Sequence, residues 1–288
     1  MNNDQQFNIS DKQKDEFKNN GFLLIDEILT KDEVESIACR VEPLFNEDYP
    51  KNILPDELNW RPNLSRNDTT RELANAFKCD PSFARVALSE KLGKVAADLM
   101  GWEGARLAQD DLFWKPIGGG PIKFHQDEPY LTFFNPVSVV TIWLALTDVS
   151  TENGTLEYVK GSHKWNTHSG MVKNFHVPPS YTKNLNEAAQ KEGIEKPDVV
   201  PVVVPKGGCG IHHGLTWHGS GSNTSMKNER MAYALCFIPD KTKFKEKDVG
   251  FIYGRYKLHN SVEMEESFFP ITYSKDGYKS ESINSFIN

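Results

Sequence analysis

Phe124-His125-Gln126-Asp127 sets a histidine and a carboxylate two residues apart. In an extended strand alternate side chains share a face, so these two project the same way. A divalent metal can take both as neighbouring ligands without a bend in the backbone. A third ligand has to come from elsewhere, and His218 in Trp217-His218-Gly219-Ser220-Gly221 is the best candidate. His212 and His213 are its rivals on spacing alone. Two histidines and one carboxylate on one side of a metal leave up to three octahedral positions open, which suits non-haem Fe(II) oxygen chemistry. The bland alternative for His218 is a histidine in a tight Gly-Ser turn.

Around this stretch the chain changes character. Ser10 with Gln13, and Thr30 with Glu33, are capping boxes that open helices. Behind the second, Val34, Ile37, Ala38 and Val41 fall at helical spacing. Phe22-Leu23-Leu24-Ile25 is a short apolar strand. Asp80-Pro81 is an N-cap with proline at the first helical position, and a helix from Ser89 stops at Gly101. Residues 46–79, rich in Asn, Asp, Pro and Arg, read as an irregular, solvated loop around one packed residue, Trp60; Arg61 and Arg66 lie in it.

From Arg106 onward strands dominate. They are expected at Arg106 to Pro116, Val137 to Thr147, Thr155 to Val159, Val199 to Val204, Gly208 to His212 and Arg230 to Ile238. Residues 163–198, with Pro178-Pro179, form a polar insertion of the length used for lids and binding loops. Helices first and strands later give an α+β, mainly β chain. Its expected centre is a double-stranded β-helix, a jelly roll of the cupin kind, with supporting N-terminal helices. The expected organisation is one domain over 1–288: a helical part at about 10–101, the jelly roll at about 105–240 and an extension at 241–288.

The totals narrow the classes. The chain has 288 residues, enough for a large core. Its net charge of −7 argues against a nucleic-acid partner. Cys39, Cys79, Cys209 and Cys236 form no C-x-x-C pair and read as free thiols of a reducing compartment. No apolar run approaches ~18 residues, so no membrane span is expected. Met1 to Phe7 lacks an apolar signal core. A cytoplasmic protein, monomer or homodimer, is expected.

Further residues complete a site. Arg230 opens the apolar run Met231-Ala232-Tyr233-Ala234-Leu235, and an arginine there is costly unless paired. A dicarboxylate such as 2-oxoglutarate would pair with it bidentately. Ser220 either donates to the same carboxylate or shapes its turn. Gln109, Asp111, Phe113 and Lys115 share a strand face; if it points inward, Gln109 contacts 2-oxoglutarate or substrate. Tyr130, Phe133 and Phe134 wall a substrate pocket or pack as core.

Several of these blocks resemble the phytanoyl-CoA dioxygenase family. They are His125-Gln126-Asp127, the run Asp148 to Leu156 with Lys160-Gly161-Ser162-His163, His213 to Asn223, Arg230 and Gly21 to Ile25. Lys160 stands where that family often has proline. The resemblance implies an oxygenase that consumes 2-oxoglutarate and O2 at Fe(II), releases succinate and CO2, and hydroxylates or otherwise oxidises a small molecule. It implies His125, Asp127 and His218 as iron ligands, with Arg230 and Ser220 on the distal carboxylate of 2-oxoglutarate. Trp143 matches an aromatic position near that co-substrate, and Thr141 shares its strand face. His213 matches a recurrent non-ligand histidine. Related halogenases lack the carboxylate that Asp127 provides, so oxygenation is favoured. Two other classes are weighed against this: a cupin-like metal hydrolase or isomerase that does not use 2-oxoglutarate, and a catalytically silent binding module.

Overall fold

Val140–Ala145 is buried at every position, the mark of a strand covered on both faces. In the computed structural model, which describes residues 7–171, 180–248, 250 and 252–288, it lies inside an eight-stranded antiparallel sheet. The order is Phe22–Ile25, Cys209–His213, Val140–Ala145, Arg230–Pro239, Gly104–Lys115, Arg71–Ala74 and Glu57–Leu58. Ile271–Ser274 pairs with the start of Gly104–Lys115. A second antiparallel sheet runs Ile122–His125, His218–Ser220, Leu156–Val159, Val199–Pro201. The two sheets are the layers of the expected double-stranded β-helix, and they do not close into a barrel.

The helices form as their caps direct. In both capping boxes the side chains of the cap and of the third helical residue bond each other's backbone, at Ser10/Gln13 and Thr30/Glu33. Asp80 accepts from the Ser82 N–H, and Gly101 takes the left-handed conformation that ends Glu90–Met100. Leu92, Val95 and Ala96 of that helix join one apolar cluster with Ile37, Phe83, Leu112, Ile142 and Leu235. The helices therefore back the large sheet and leave its other face to the second sheet.

Two expectations need correction. Residues 46–79 are not wholly irregular: Arg71–Ala74 pairs with Asp111 to Trp114, and Glu57–Leu58 pairs with it in turn. The polar sequence hides this because its burial comes from partners. The Arg71 guanidinium lies between the rings of Trp60 and Trp114, at 3.9 and 3.8 Å from their centroids. Trp60 is packed as expected, while Arg61 and Arg66 pair with Glu47 and Asp68 at the surface. Val199–Pro201 is shorter than expected, ending at a proline that has no N–H to give an edge.

The region 163–198 contains a helix at Lys183–Lys191. Pro178-Pro179 lie outside the described residues. The segment after Asp240 adds Lys243–Phe244, which pairs with Phe134–Asn135, and an aromatic cluster of Phe133, Phe134, Phe244, Tyr253 and Phe269.

Candidate metal centre

The second sheet puts His218 directly opposite His125. Their ring centroids are 4.1 Å apart. Asp127 follows just past the strand end, where its N–H donates to the Gly214 carbonyl at 2.9 Å. Each imidazole is fixed by its own backbone. His125 Nδ1 donates to the Lys123 carbonyl at 2.8 Å, and His218 Nδ1 to the Thr216 carbonyl at 2.9 Å. Both Nε2 atoms thereby face Asp127 Oδ1, at 3.7 Å from His125 and 3.3 Å from His218. Neighbouring ligands of an octahedral ion with bonds of about 2.1 Å stand about 3 Å apart, so the three atoms fit one small cation. Among the described residues these three are the only such group of histidine, cysteine and carboxylate ligands.

Asp127 is divided between two tasks. Its Oδ2 accepts from Thr141 Oγ1 at 2.6 Å and from His212 Nε2 at 3.0 Å. Oδ1 is left facing the two Nε2 atoms. His212 is in turn held by Tyr158, whose hydroxyl lies 3.0 Å from Nδ1. Burial beside His218 keeps both neighbours neutral, His125 pushed down to about 3 and His212 to about 4. Burial alone would raise the Asp127 carboxyl, but His218 and His212 together hold it well below the usual range. His212, a rival ligand on spacing, thus reaches the site as a partner of the carboxylate. Cross-strand register explains this, since His212 faces Thr141, and register cannot be read from one sequence. Replacing His212 by phenylalanine is expected to weaken Fe(II) binding by about 10–100-fold, measured by titration under anaerobic conditions.

Arg230 occupies the other end of the same cavity. It is 1% exposed, donates to the Gly154 carbonyl at 3.2 Å and lies over the Trp143 ring at 5.4 Å. No carboxylate among the described residues pairs with it. Burial pushes its pKa down to about 9, still cationic at neutral pH. Lys115, fully buried, donates to Ser220 Oγ at 2.6 Å and to the Gly221 carbonyl at 2.5 Å. With that lone pair engaged, the Ser220 hydroxyl is free to donate into the cavity. Nothing in the sequence marked Lys115 as a support for Ser220.

The cavity has a volume of about 420 Å³, and His125, Asp127, Thr141, Trp143, His218, Ser220 and Arg230 all line it. Gln109 lines it too, with Asp111 and Phe113, so the strand face points inward. Gln109 is not at the Arg230 end, however. It faces Cys236, in the same register row as Thr141, whereas Arg230 faces Lys115. Its amide nitrogen donates to Asp111, 2.7 Å from either carboxylate oxygen. Tyr130 and Phe133 wall the cavity, while Phe134 packs in the aromatic cluster. His213 lies outside it: Nδ1 accepts the Leu215 N–H at 3.0 Å, and the ring faces His163.

The sequence model of the phytanoyl-CoA dioxygenase (PhyH) family matches residues 17–232. The chain belongs to that family. Family membership makes it an iron- and 2-oxoglutarate-dependent oxygenase, and a hydrolase or silent-module reading is not favoured. Within the curated relatives, the chain is 22% identical over 271 residues to a phytanoyl-CoA dioxygenase domain-containing protein 1 homolog of Caenorhabditis elegans. That match covers 82% of this chain and 93% of the relative. The Danio rerio phytanoyl-CoA dioxygenase domain-containing protein 1 is 32% identical over 148 residues. That stretch covers 51% of this chain and 49% of the relative, so it spans about half of each. The fold recurs in the non-heme alpha ketoglutarate dependent carbocyclase SnoK from nogalamycin biosynthesis, with a TM-score of 0.71 at 23% identity. The superposition covers 92% of this chain and 96% of SnoK. Among the described residues no helix is long and apolar enough to cross a membrane.

Proposed function

We propose that this protein oxidises a C–H bond of a small molecule, by hydroxylation, at an Fe(II) held by His125, Asp127 and His218. The observation that carries the reading is Arg230: a buried cation without a carboxylate partner among the described residues, in the cavity that holds the triad. Such a charge is costly unless an anion joins it, and a dicarboxylate supplies one. SnoK, which has this fold, is by its description alpha ketoglutarate dependent.

The residues divide the work. Arg230 and the Ser220 hydroxyl hold the distal carboxylate of 2-oxoglutarate, with Lys115 fixing Ser220 from behind. Trp143 supplies an apolar wall that keeps water off the co-substrate. When bound, Fe(II) with 2-oxoglutarate and O2 supplies the oxidising power, and the keto acid leaves as succinate and CO2. Thr141 and His212 engage Asp127 Oδ2, which would leave Oδ1 alone to hold the metal. Because Asp127 would take a metal position that a halide would need, oxygenation is the expected outcome.

Purified protein supplied with Fe(II), 2-oxoglutarate and air should release succinate slowly even without substrate. EDTA should stop this, and added Fe(II) should restore it. Succinate release that EDTA leaves untouched would remove the metal from the account.

A further inference from the structure

A chain of hydrogen bonds leads away from the Asp127 carboxylate and crosses from one sheet to the other. Tyr158 is fully buried in Leu156–Val159, directly opposite His218 in the second sheet. His212 belongs to the large sheet and stands opposite Thr141. The Tyr158 hydroxyl lies 3.0 Å from His212 Nδ1, and His212 Nε2 lies 3.0 Å from Asp127 Oδ2.

The chemistry of each group sets the direction of the chain. A carboxylate only accepts, so Nε2 has to carry a hydrogen. The buried His212 ring is neutral, so its Nδ1 is bare and accepts. The phenol keeps its proton and donates. The order is therefore Tyr158 O–H to Nδ1, then Nε2–H to Oδ2.

Two neighbours shape the place of the phenol. Gly210 shares a strand face with His212, and a Cβ there would stand 2.6 Å from the Tyr158 oxygen. Phe22, opposite His212 in the next strand, lies against the Tyr158 ring at 5.1 Å between centroids. Phenylalanine at 158 would fill the same core. The hydroxyl adds a buried polar atom that needs a partner, and His212 Nδ1 is the one it has among the described residues.

We infer that Tyr158 is a positioning residue for the metal centre: it orients the His212 ring so that Nε2–H meets Asp127 Oδ2, which leaves Oδ1 turned to the imidazoles of His125 and His218. This role rests on the proposed Fe(II) site. Tyr158 also packs edge-on against His218, at 6.4 Å between centroids, a contact that phenylalanine would keep. Removing the hydroxyl alone therefore separates orientation of His212 from packing on His218.

The test begins with nitrogen NMR of the histidine rings in metal-free protein at neutral pH, with His212 assigned as the signals missing from His212→Phe. Wild type should show Nε2 protonated and Nδ1 bare; a protonated Nδ1 overturns the inference. Fe(II) is then titrated anaerobically into wild type, Tyr158→Phe, His212→Phe and the double variant. Tyr158→Phe should weaken binding about three- to tenfold, the effect of one lost buried hydrogen bond. In the His212→Phe background the same change should cost no more than about twofold, because the hydroxyl then has no ring to orient. Equal losses in the two backgrounds, or no loss in the first, overturn the role. Wild type that takes up no Fe(II) overturns the metal site and this role with it, whereas wild type that binds Fe(II) with additive losses overturns this role alone. If Tyr158→Phe fails to fold, Gly210→Ala, which crowds the hydroxyl, takes its place in the same cycle.

Discussion

Replacing His218 by alanine is expected to lower substrate-free succinate formation by about 10³-fold or more, the loss of several kcal/mol of metal-borne stabilisation. The cause is local. His218 offers one of the three grouped ligand atoms and stands opposite His125 in a short strand pair, and no other described residue joins that group. Iron binding should fall with the rate, while thermal unfolding of the metal-free protein should change little, since the imidazole makes one backbone hydrogen bond. The comparison with His212→Phe carries the weight. A ligand and a partner of a ligand differ in magnitude, with the partner costing only about 10–100-fold in iron affinity. If the two variants changed places in this ranking, His212 would be the ligand and the assignment would have to be redrawn.

Arg230→Ala should weaken 2-oxoglutarate binding by about 3 kcal/mol, about a hundredfold, and leave iron binding nearly unchanged. It should also abolish the rise in melting temperature that 2-oxoglutarate gives the wild type, because that rise reports ligand affinity directly. The metal-free variant should lose less stability than a buried arginine usually costs. Arg230 donates to the Gly154 carbonyl, and its Nε has no partner among the described residues, so its removal also removes an unrelieved charge. Equal loss of iron and 2-oxoglutarate binding would mean that Arg230 holds the fold of the cavity and not the keto acid.

Much of this arrangement is legible in the chain. Alternation and apolar runs locate the strands of the large sheet from Gly104 onward, and the capping boxes place the first helices. His125 and Asp127 announce themselves by spacing, and Arg230 by standing at the start of a buried run. What the chain conceals depends on register or on distant burial. Arg71–Ala74 becomes a strand because Trp60 and Trp114 enclose Arg71, a contact made across the fold. Spacing leaves His212 as a rival ligand; its bond to Asp127 follows from the strand that sets it opposite Thr141. Alternation groups Gln109 with Asp111 and Phe113 on one strand face but does not say which way that face points; it lines the cavity, and its level along the strand, fixed by register, separates it from Arg230.

In the arrangement we propose, one Fe(II) sits on His125, Asp127 and His218 while Arg230 anchors the keto acid beside it. The most direct measurement is the visible spectrum of anaerobic protein titrated with Fe(II) and then 2-oxoglutarate. A weak charge-transfer band should grow with the keto acid to one equivalent in the wild type, vanish in His218→Ala, and demand far more 2-oxoglutarate in Arg230→Ala. Wild-type protein that binds Fe(II) stoichiometrically yet shows no band at saturating 2-oxoglutarate would contradict the account.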